Sequence, residues 1–314
     1  MKISVIIVTY NRKEELKETI QAFLNQNYEN KEVIVIDNNS EDGTKDEIPN
    51  LFPNIQYYRL PENIDIRAFN IALKYATGEI IWRTDDDSYP HNPNTFEKII
   101  KIFQNHQDID IIALEQLLVN RNYQAWEWYP FKIDKINVPS EGYKSNYFCG
   151  CGAAIRKKVF DKIGGFWEFG FEELDFCTRA IVAGFNIRYY PNLSFLHYAT
   201  NTARYSSARW IQLSKQYIRY QWRYFPFLNA LGRSFLIFNF QIIVAIFSKV
   251  RFKAIIEGLF AMFITTILTI RKERNPVPKD RIKDITLGVS LFKSQMKYFQ
   301  NALKNRLKRF GKKN

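Results

Sequence analysis

The stretch Trp82-Arg83-Thr84-Asp85-Asp86-Asp87-Ser88 places three carboxylates directly after a short apolar run, Glu79-Ile80-Ile81-Trp82, which predicts a buried strand. Adjacent carboxylates repel one another, and burying them unpaired costs several kcal/mol. A hard divalent cation relieves that repulsion, because Mg²⁺ and Mn²⁺ prefer oxygen ligands and share their shell with substrate phosphates. The triplet is also typical of a solvated acidic turn or of a helix N-terminus. Pro90 and Pro93 predict that no further strand follows at once.

Strand and helix patterns alternate along the first 90 residues. The patterns predict strands over residues 3–8, 31–36, 54–59 and 79–82, and helices over residues 13–25 and 65–76. This alternation predicts a doubly wound α/β sheet. Ligands bind at the carboxyl ends of the strands in such sheets, where Thr9, Asp37 and the carboxylate triplet all lie. Three separate elements therefore predict one ligand crevice.

The predicted crevice has none of the glycine patterns of common nucleotide sites. No G-x-G-x-x-G follows the first strand, and no G-x-x-x-x-G-K-[ST] is present. Phosphates bound there would need another counter-charge, which a metal at the triplet would supply. Asp37 could accept hydrogen bonds from a nucleobase or a ribose hydroxyl, or it could form an Asx turn with the residues that follow it.

A second informative block lies between residues 146 and 198. The segment Phe148-Cys149-Gly150-Cys151-Gly152-Ala153-Ala154 is rich in small residues, which is typical of a backbone that approaches a ligand closely. A helix is predicted from Arg156 to the Gly164-Gly165 pair. Acidic residues then open a further helix at Glu172. Residues 186–190 predict an edge strand.

The amino-acid composition indicates which class of protein this is. The chain has 314 residues, 46% of them hydrophobic and 25% charged, as in globular domains. Three cysteines in a chain of this length do not form a disulfide framework, which favours a reducing compartment. The apolar run at the N-terminus is too short for a signal peptide. We therefore expect a cytoplasmic protein.

Taken in order over about the first 200 residues, these motifs resemble those of family 2 glycosyltransferases, the inverting GT-A type, and are nearest to bacterial rhamnosyltransferase-like members. The matching residues are Val5–Arg12, Val35–Thr44, Asn63, Asn70, Ala76–Ile81, Asp85–Ser88, Ile163–Phe166, Glu172–Asp175, Arg179, Gly184 and His197. The resemblance implies a GT-A domain over residues 1–200, with a Rossmann-like doubly wound mixed sheet. Its donor half covers about residues 1–90 and its acceptor half about residues 91–200. A C-terminal α-helical extension, residues 201–314, lies outside the resemblance.

The resemblance also implies roles for individual residues. Glu173 matches the catalytic base of an E-D pair, although this chain has Glu172-Glu173, so that Glu172 is the alternative base. A carboxylate there takes the proton of the acceptor hydroxyl, which attacks the anomeric carbon from the face opposite the leaving group. Asp85 and Asp87 flank the D-x-D pattern that binds Mn²⁺ or Mg²⁺ on the donor diphosphate, with Asp87 as the first choice of direct ligand.

His197 matches a family position that can complete the metal site, and its alternative is a structural histidine. The other residues predicted to bind the donor are Thr9, Tyr10, Asn11, Arg12, Asp37, Asn39, Asp65, Arg67, Asn70 and Asp86. The family usually has glycine-rich sequence after Asn63, whereas this chain has Ile64-Asp65-Ile66-Arg67. Asp65 and Arg67 therefore either touch the donor or form a pair at a helix start. The cysteines contain no C-x-x-C pair and do not favour zinc.

The last third is basic and apolar. Basic and aromatic residues alternate over Arg204–Tyr224, a pattern used both for stacking on nucleic acid and at membrane interfaces. Two apolar stretches follow, Ser234–Phe247 and Ala254–Ile270, each shorter than the ~20 residues that span a bilayer. Residues 271–314 contain 14 Lys and Arg less three Asp and Glu, a net of +11 of the total of +13. We expect helices that lie at an anionic membrane surface, with hairpin insertion and plain soluble core helices as the alternatives.

The sequence therefore predicts a glycosyltransferase peripherally associated with the inner face of the cell membrane. It would use a nucleotide-sugar donor and a divalent metal, and extend a glycan or a polyprenyl-linked acceptor in surface polysaccharide synthesis. One rival is a metal-dependent nucleotidyltransferase, which would not need the Glu172-Glu173 base. The other is a basic nucleic-acid-binding protein, which would account for the tail but not for the three strand-end motifs. We expect no nucleic-acid partner.

Overall fold

Two units, Met1–Thr200 and Asn201–Asn314, make up the computed structural model. It describes residues 1–121, 124–125, 128–198, 206–247, 250–291 and 293. Part of the predicted C-terminal region lies outside the described residues: Arg204 and Tyr205, at the start of the basic and aromatic pattern, and residues 292 and 294–314 of the basic tail.

The first unit is built on a mixed sheet. Its strands are β1 Ile3–Thr9, β2 Lys31–Asp37, β3 Gln56–Arg59, β4 Ile80–Asp85, β5 Ser88–Pro90, β6 Ile111–Leu118, β7 Gln124–Ala125, β8 Tyr143–Ser145, β9 Ala153–Arg156 and β10 Ile187–His197. Its helices are α1 Lys13–Leu24, α2 Thr44–Leu51, α3 Ala68–Ala72, α4 Thr95–Asn105, α5 Lys157–Ile163 and α6 Glu172–Val182, with 3-10 turns at Asp65–Arg67 and Val119–Arg121.

The strand order is β3-β2-β1-β4-β9-β6-β10-β5, with β7 beside β6 and β8 beside β10. The strands β3, β2, β1 and β4 run parallel, as do β6 and β10, whereas β9 is antiparallel to both β4 and β6. Apolar residues of the central strands and of α1 and α4 form a core in which Phe23 meets Trp82 edge-on at 5.9 Å between ring centroids. The predicted α/β architecture with a mixed sheet is confirmed.

The structure corrects the prediction around the carboxylate triplet. Strand β4 continues to Asp85, so only Asp86 and Asp87 lie in the turn that follows it. A new strand, β5, then forms although it contains Pro90, which pairs with Phe195 of β10. Proline is tolerated there because β5 is an edge strand and does not need to donate from every residue.

Two further element boundaries differ from the prediction. The pattern over residues 65–76 gives the short turn at Asp65–Arg67 followed by α3, which ends at Ala72. The predicted edge strand over residues 186–190 is part of β10, which continues to His197 and has β6 on one side and β8 and β5 on the other. Its register against β6 shifts between Tyr190 and Ser194, where an irregularity accommodates Pro191 within the strand.

The second unit is helical over its described residues. It contains α7 Ser207–Tyr224, α8 Phe227–Phe247, α9 Phe252–Lys272, a 3-10 turn at Lys279–Arg281 and α10 Ile282–Thr286. The Trp210 ring packs so closely on Gly258 that an added Cβ would lie 2.2 Å from it. Glu273 accepts hydrogen bonds from Arg219 at 2.6 and 2.8 Å and from Arg223 at 2.6 Å, which fixes the end of α9 to α7.

Helices α8 and α9 are longer than the apolar stretches from which they were predicted. Each has 21 residues, and each is long and apolar enough to cross a membrane by length and composition. Less than a third of either apolar segment is buried. The prediction that these segments are too short to span a bilayer is therefore wrong as to length, because α8 begins at Phe227, well before Ser234, and α9 extends beyond its apolar stretch at both ends.

Candidate functional site

The carboxyl ends of β1, β2 and β4 bring three predicted residues to one edge of the sheet. Thr9 is in register with Asp37 across β1 and β2, and Val8 is in register with Asp85 across β1 and β4. Asp37 is fully buried and accepts hydrogen bonds from the Ser40 backbone N–H at 2.7 Å and from the Tyr57 hydroxyl at 2.6 Å. Burial, together with the Asp37 carboxylate, raises the pKa of Tyr57 well above its usual range, so the phenol keeps its proton.

Arg12 connects two carboxylates of the triplet. Its Nη1 donates to Asp86 Oδ1 at 2.9 Å and its Nη2 to Asp87 Oδ2 at 2.8 Å. The Thr9 hydroxyl donates to Asp86 Oδ2 at 2.9 Å. Burial raises the pKa of Asp86 to about 7 despite the lowering effect of Arg12. The guanidinium thus supplies, inside the protein, the counter-charge that the triplet requires.

Asp87 also faces His197 at the end of β10. Its Oδ1 lies 3.4 Å from His197 Nε2 and, within the described part of the chain, this buried oxygen has no hydrogen-bond partner. Burial by itself raises the pKa of Asp87, but the His197 and Arg12 cations lower it to about 2. Burial lowers the pKa of His197, whereas Cys151 and Asp87 raise it to about 10. The two residues therefore form a buried ion pair.

Asp85 contacts Arg83 and Cys151. Its side chain is 41% exposed, its Oδ1 accepts a hydrogen bond from Arg83 Nη1 at 2.7 Å, and its Oδ2 accepts one from the Cys151 thiol at 3.2 Å. The same sulfur lies 3.7 and 3.8 Å from the two ring nitrogens of His197. Cys151 therefore stands between two of the three predicted metal ligands.

The three predicted metal ligands are only partly assembled. Over the ranges that the structure describes, no group of three or more His, Cys, Asp and Glu side chains is arranged to hold a metal ion. The donors that do meet, Asp87 Oδ1, which has no hydrogen bond among the described residues, and the His197 imidazole, are of a kind that Mn²⁺ accepts. Binding would require the imidazole to release its proton. Asp87 and His197 thus fit a divalent cation, whereas Asp85 is engaged by Arg83.

Both candidate bases lie at the start of α6. Glu172 Oε2 accepts a hydrogen bond from the Gly170 backbone N–H at 2.5 Å, and burial raises its pKa. Glu173 Oε1 lies 3.7 Å from Arg83 Nη2, and its side chain is 16% exposed. Burial, and then the neighbouring Glu172, raise the pKa of Glu173 to about 8, although Arg83 opposes this shift. Glu172 has a backbone partner, whereas Glu173 faces the guanidinium.

Gly150 leaves space for this pair. A Cβ added to Gly150 would lie 1.9 Å from Glu173 Oε1 and 2.6 Å from Arg83 Nη1. Only a residue without a side chain allows the backbone to approach both groups this closely. The glycine-rich segment that the sequence associates with close approach therefore lies against the predicted base.

The other predicted donor residues lie around the same strand ends. Tyr10 is 45% exposed, Asn11 and Asn39 have positive φ, and Asn11 Oδ1 accepts a hydrogen bond from the Glu41 N–H at 2.7 Å. Asn39 Oδ1 accepts one from Arg59 Nη2 at 2.7 Å. These contacts shape the loops after β1 and β2.

Asp65, Arg67 and Asn70 make contacts within the protein. Asp65 and Arg67 are exposed, and Arg67 Nε donates to the Ile64 carbonyl at 3.2 Å within its own turn. The Asn70 side chain donates to the Phe166 carbonyl at 2.6 Å and accepts from the Phe166 N–H at 2.9 Å. Asn70 thus holds the segment that precedes α6, and a donor role for these three residues stays a prediction.

Sequence reasoning assigned no role to Arg83, Cys151 or Gln116. Gln116 contacts His197 Nδ1 and accepts a hydrogen bond from the Cys149 thiol at 3.2 Å, so it orients the imidazole. The signal for Arg83 was available, because a lone cation inside an apolar strand requires a buried partner. No pattern marked Cys151 or Gln116, since their contacts depend on the pairing of β6, β9 and β10.

Comparison with known proteins decides the family. A sequence model of glycosyl transferase family 2 matches residues 4–164, which is more than half of the chain. The chain belongs to glycosyl transferase family 2. The predicted family and enzyme class are thereby confirmed.

Relatives of this glycosyltransferase include enzymes with named activities. It is 26% identical over 249 residues to the O-antigen chain rhamnosyltransferase WbaN of Salmonella anatum, covering 74% of this chain and 77% of WbaN. It is 24% identical over 311 residues to the dolichyl N-acetyl-alpha-D-glucosaminyl phosphate 3-beta-D-2,3-diacetamido-2,3-dideoxy-beta-D-glucuronosyltransferase of Methanococcus voltae. That match covers 88% of this chain and 89% of the relative. Its match to an uncharacterized glycosyltransferase of Rickettsia typhi, at 27% identity, covers 53% of this chain and 54% of that relative.

Solved structures share the fold of this glycosyltransferase. S. aureus TarS residues 1–349, in complex with UDP-GlcNAc, has a TM-score of 0.61 at 19% identity, covering 85% of this chain and 82% of that one. The mannosyltransferase PcManGT from Pyrobaculum calidifontis, in complex with GDP-Man and Mn²⁺, has a TM-score of 0.55 at 17% identity, and the match covers 96% of this chain and 80% of PcManGT. At these identities the likeness shows the fold alone.

Proposed function

We propose that this glycosyltransferase moves a sugar, with inversion at the anomeric carbon, from a nucleotide-diphosphate sugar to a hydroxyl of a glycan or polyprenyl-linked acceptor. One observation carries the proposal. Arg83 lies 2.7 Å from Asp85, at the donor end of the site, and 3.7 Å from Glu173. The carboxylate triplet and the base therefore belong to one site, as transfer between two bound substrates requires.

The donor side is formed by the loops after β1 and β2 and by the triplet. Asp37 and Asn39 would contact a base or a ribose, and Arg12 would provide a guanidinium fork for phosphate oxygens. Arg12 now contacts Asp86 and Asp87. A diphosphate would compete with these carboxylates for the same cation.

Asp87 and His197 would hold a divalent cation, Mn²⁺ or Mg²⁺, with Asp85 as the further predicted ligand. When bound, such a cation stabilises the negative charge that develops on the leaving nucleoside diphosphate. PcManGT, whose structure contains Mn²⁺ and GDP-Man, has the same fold. That likeness supports the cofactor assignment.

Glu173 would accept the proton of the acceptor hydroxyl at its carboxylate. The carboxylate must be ionised to do so, and burial beside Glu172 raises its pKa to about 8. The neighbouring Arg83 cation favours the ionised form and stays with the group after the proton has moved. We therefore assign the base to Glu173 and keep Glu172 as the alternative.

The named relatives suggest substrate classes. WbaN is named a rhamnosyltransferase of O-antigen chains, and the Methanococcus voltae enzyme is named for a dolichyl-phosphate-linked sugar. We propose a role in surface polysaccharide synthesis with a glycan or lipid-linked acceptor. Helices α8 and α9 carry exposed phenylalanines, among them Phe235 and Phe260, which favours association with the inner face of the cell membrane.

The test is a panel of UDP-, GDP- and TDP-sugars with Mn²⁺ or Mg²⁺, assayed for release of the nucleoside diphosphate. We expect one donor to release its nucleotide, and Glu173→Gln to reduce that release. Release of pyrophosphate would instead indicate a nucleotidyltransferase. Binding of oligonucleotides with no nucleotide release would favour the nucleic-acid alternative.

A further inference from the structure

Arg83 occupies a position where an arginine is unusual. It lies inside β4, in register with Ile6 of β1 and Ala153 of β9, and only 3% of its surface is exposed. A cation is seldom buried this deeply unless it is paired. Burial lowers its pKa, but Asp85 and then Glu173 raise it above the ordinary value, so the guanidinium is charged.

The guanidinium contacts a different group on each side. Its Nη1 donates to Asp85 at 2.7 Å, its Nη2 lies 3.7 Å from Glu173 Oε1, and its centre lies 5.9 Å from the Phe166 ring centroid. Among the described residues its Nε has no hydrogen-bond partner. The contacts made by Arg83 are thus concentrated on the two carboxylates.

The backbone beside Arg83 is shaped for this arrangement. Gly150 lies so close that an added Cβ would overlap both Glu173 and Arg83. If Arg83 needed only a neutralising charge, Asp85 would suffice, and nothing would require the Glu173 carboxylate to be packed against it. The bare glycine backbone instead confines Glu173 to the side of the guanidinium.

We infer that Arg83 is a positioning residue for sugar transfer: it holds the Glu173 carboxylate in place as the base and ties it to Asp85 on the donor side. This inference rests on the proposed function and extends it to a residue outside the recognised motifs. A misplacement of about 1 Å at a reacting group can lower the rate by ~10²-fold. The rate gained by fixing Glu173 therefore offsets the cost of burying the Arg83 cation.

The positioning role of Arg83 can be measured through the pKa of Glu173. Arg83 is the nearby cation that lowers the pKa of Glu173, whereas burial and the nearby acids raise it. The titratable and charged groups that face Glu173 are Arg83 and Asp85 on β4, Glu172 and Cys177 on α6, and Tyr147 in the loop before Gly150. Removing the cation therefore raises the pKa of Glu173 and moves the acidic limb of the rate profile to higher pH.

The experiment compares Arg83→Met and Arg83→Lys with Arg156→Met. Arg156 is a matched control, because it is also buried in a strand of the same sheet but donates to the carbonyls of Ile109 and Phe103. We expect Arg83→Met to lower kcat about 10- to 100-fold with little change in donor KM. We also expect its acidic limb to move to higher pH, Arg83→Lys to recover part of both effects, and Arg156→Met to leave the limb where it is.

Thermal unfolding and a pH titration of carbon-13-labelled glutamate by NMR complete the test without turnover. If Arg83→Met does not fold, the rate profile and titration of Arg83→Lys decide. An unchanged Glu173 titration and rate profile in the folded Arg83 variants would overturn the inference. An equal effect in Arg156→Met would do the same, since it would show a general loss of stability. Failure of the wild-type protein to release nucleotide from any donor would instead count against the proposed function.

Discussion

Gly150→Ala adds one methyl group and moves the predicted base without changing any charge. The new Cβ would lie 1.9 Å from Glu173 Oε1, whereas ordinary contact begins at 3.4 Å. The carboxylate or the loop must therefore retreat by about 1.5 Å. A shift of that size at a reacting group lowers the rate by ~10²-fold, which corresponds to ~2.7 kcal/mol of activation free energy. We expect this loss in kcat, with donor KM little changed.

The assay is initial-rate nucleotide release with the donor that the panel identifies, with and without acceptor. Gly232→Ala in α8 is the matched control, because its added Cβ meets nothing within 4 Å and its backbone is helical. Thermal unfolding establishes that both variants are folded. Full transfer activity in a folded Gly150→Ala protein would refute the assignment of Glu173 as a base confined by this glycine.

Four further outcomes are expected. Asp87→Ala should abolish metal-dependent nucleotide release while Asp46→Ala, an exposed control on α2, does not, and full turnover in excess EDTA would refute the metal assignment. Glu173→Gln should retain donor binding by calorimetry and lose transfer by ~10²–10⁴-fold, and the reverse result with Glu172→Gln would exchange the two roles. Because the base must be ionised, the transfer rate should rise as pH increases through about 8, the pKa of Glu173, and a flat profile through this range would contradict its role. Removing residues 294–314, which contain seven Lys and Arg and no Asp or Glu, should weaken binding to anionic liposomes at low salt, since each cation contributes ~1 kcal/mol; equal binding of both lengths in flotation assays would exclude an electrostatic role for this segment.

The structure explains why the truncation starts at residue 294 and not at Arg271. The sequence predicts a basic region from Arg271 onward, but Glu273 and Arg274 stabilise the second unit. Arg274 donates to the carbonyls of Trp222 at 2.8 Å and Phe225 at 3.1 Å, at the end of α7. A deletion starting at Arg271 would remove these contacts and confuse loss of charge with loss of structure.

The fold was predictable because its central strands are buried on both faces and contain continuous apolar runs, as over Val5–Val8 in β1. The strand ends were predictable because the apolar runs stop at polar residues, as β2 does at Asp37, which is buried but accepts hydrogen bonds from Ser40 and Tyr57. The strand at Pro90 was missed because it depends on β10, more than 100 residues later in the chain. Local propensity contains no information about such a partner.

The motifs give Asp85, Asp87, Glu173 and His197 as candidate site residues, but they do not give the contacts that each side chain makes. Asp85 pairs with Arg83, because a buried guanidinium requires an anionic partner. That choice is made by three-dimensional packing, which a one-dimensional pattern does not record.

The two short strands beside β10 have a consequence for self-association. Beyond β10 the sheet edge is divided between β8 and β5, each of three residues, and β5 ends in Pro90, which has no backbone N–H to donate. A second polypeptide adding to a sheet needs a continuous ladder of donors and acceptors. Among the described residues this edge consists of two short, separate strands, so it is a poor template for amyloid-like growth, even in a chain whose central strands are as apolar as β1 and β2.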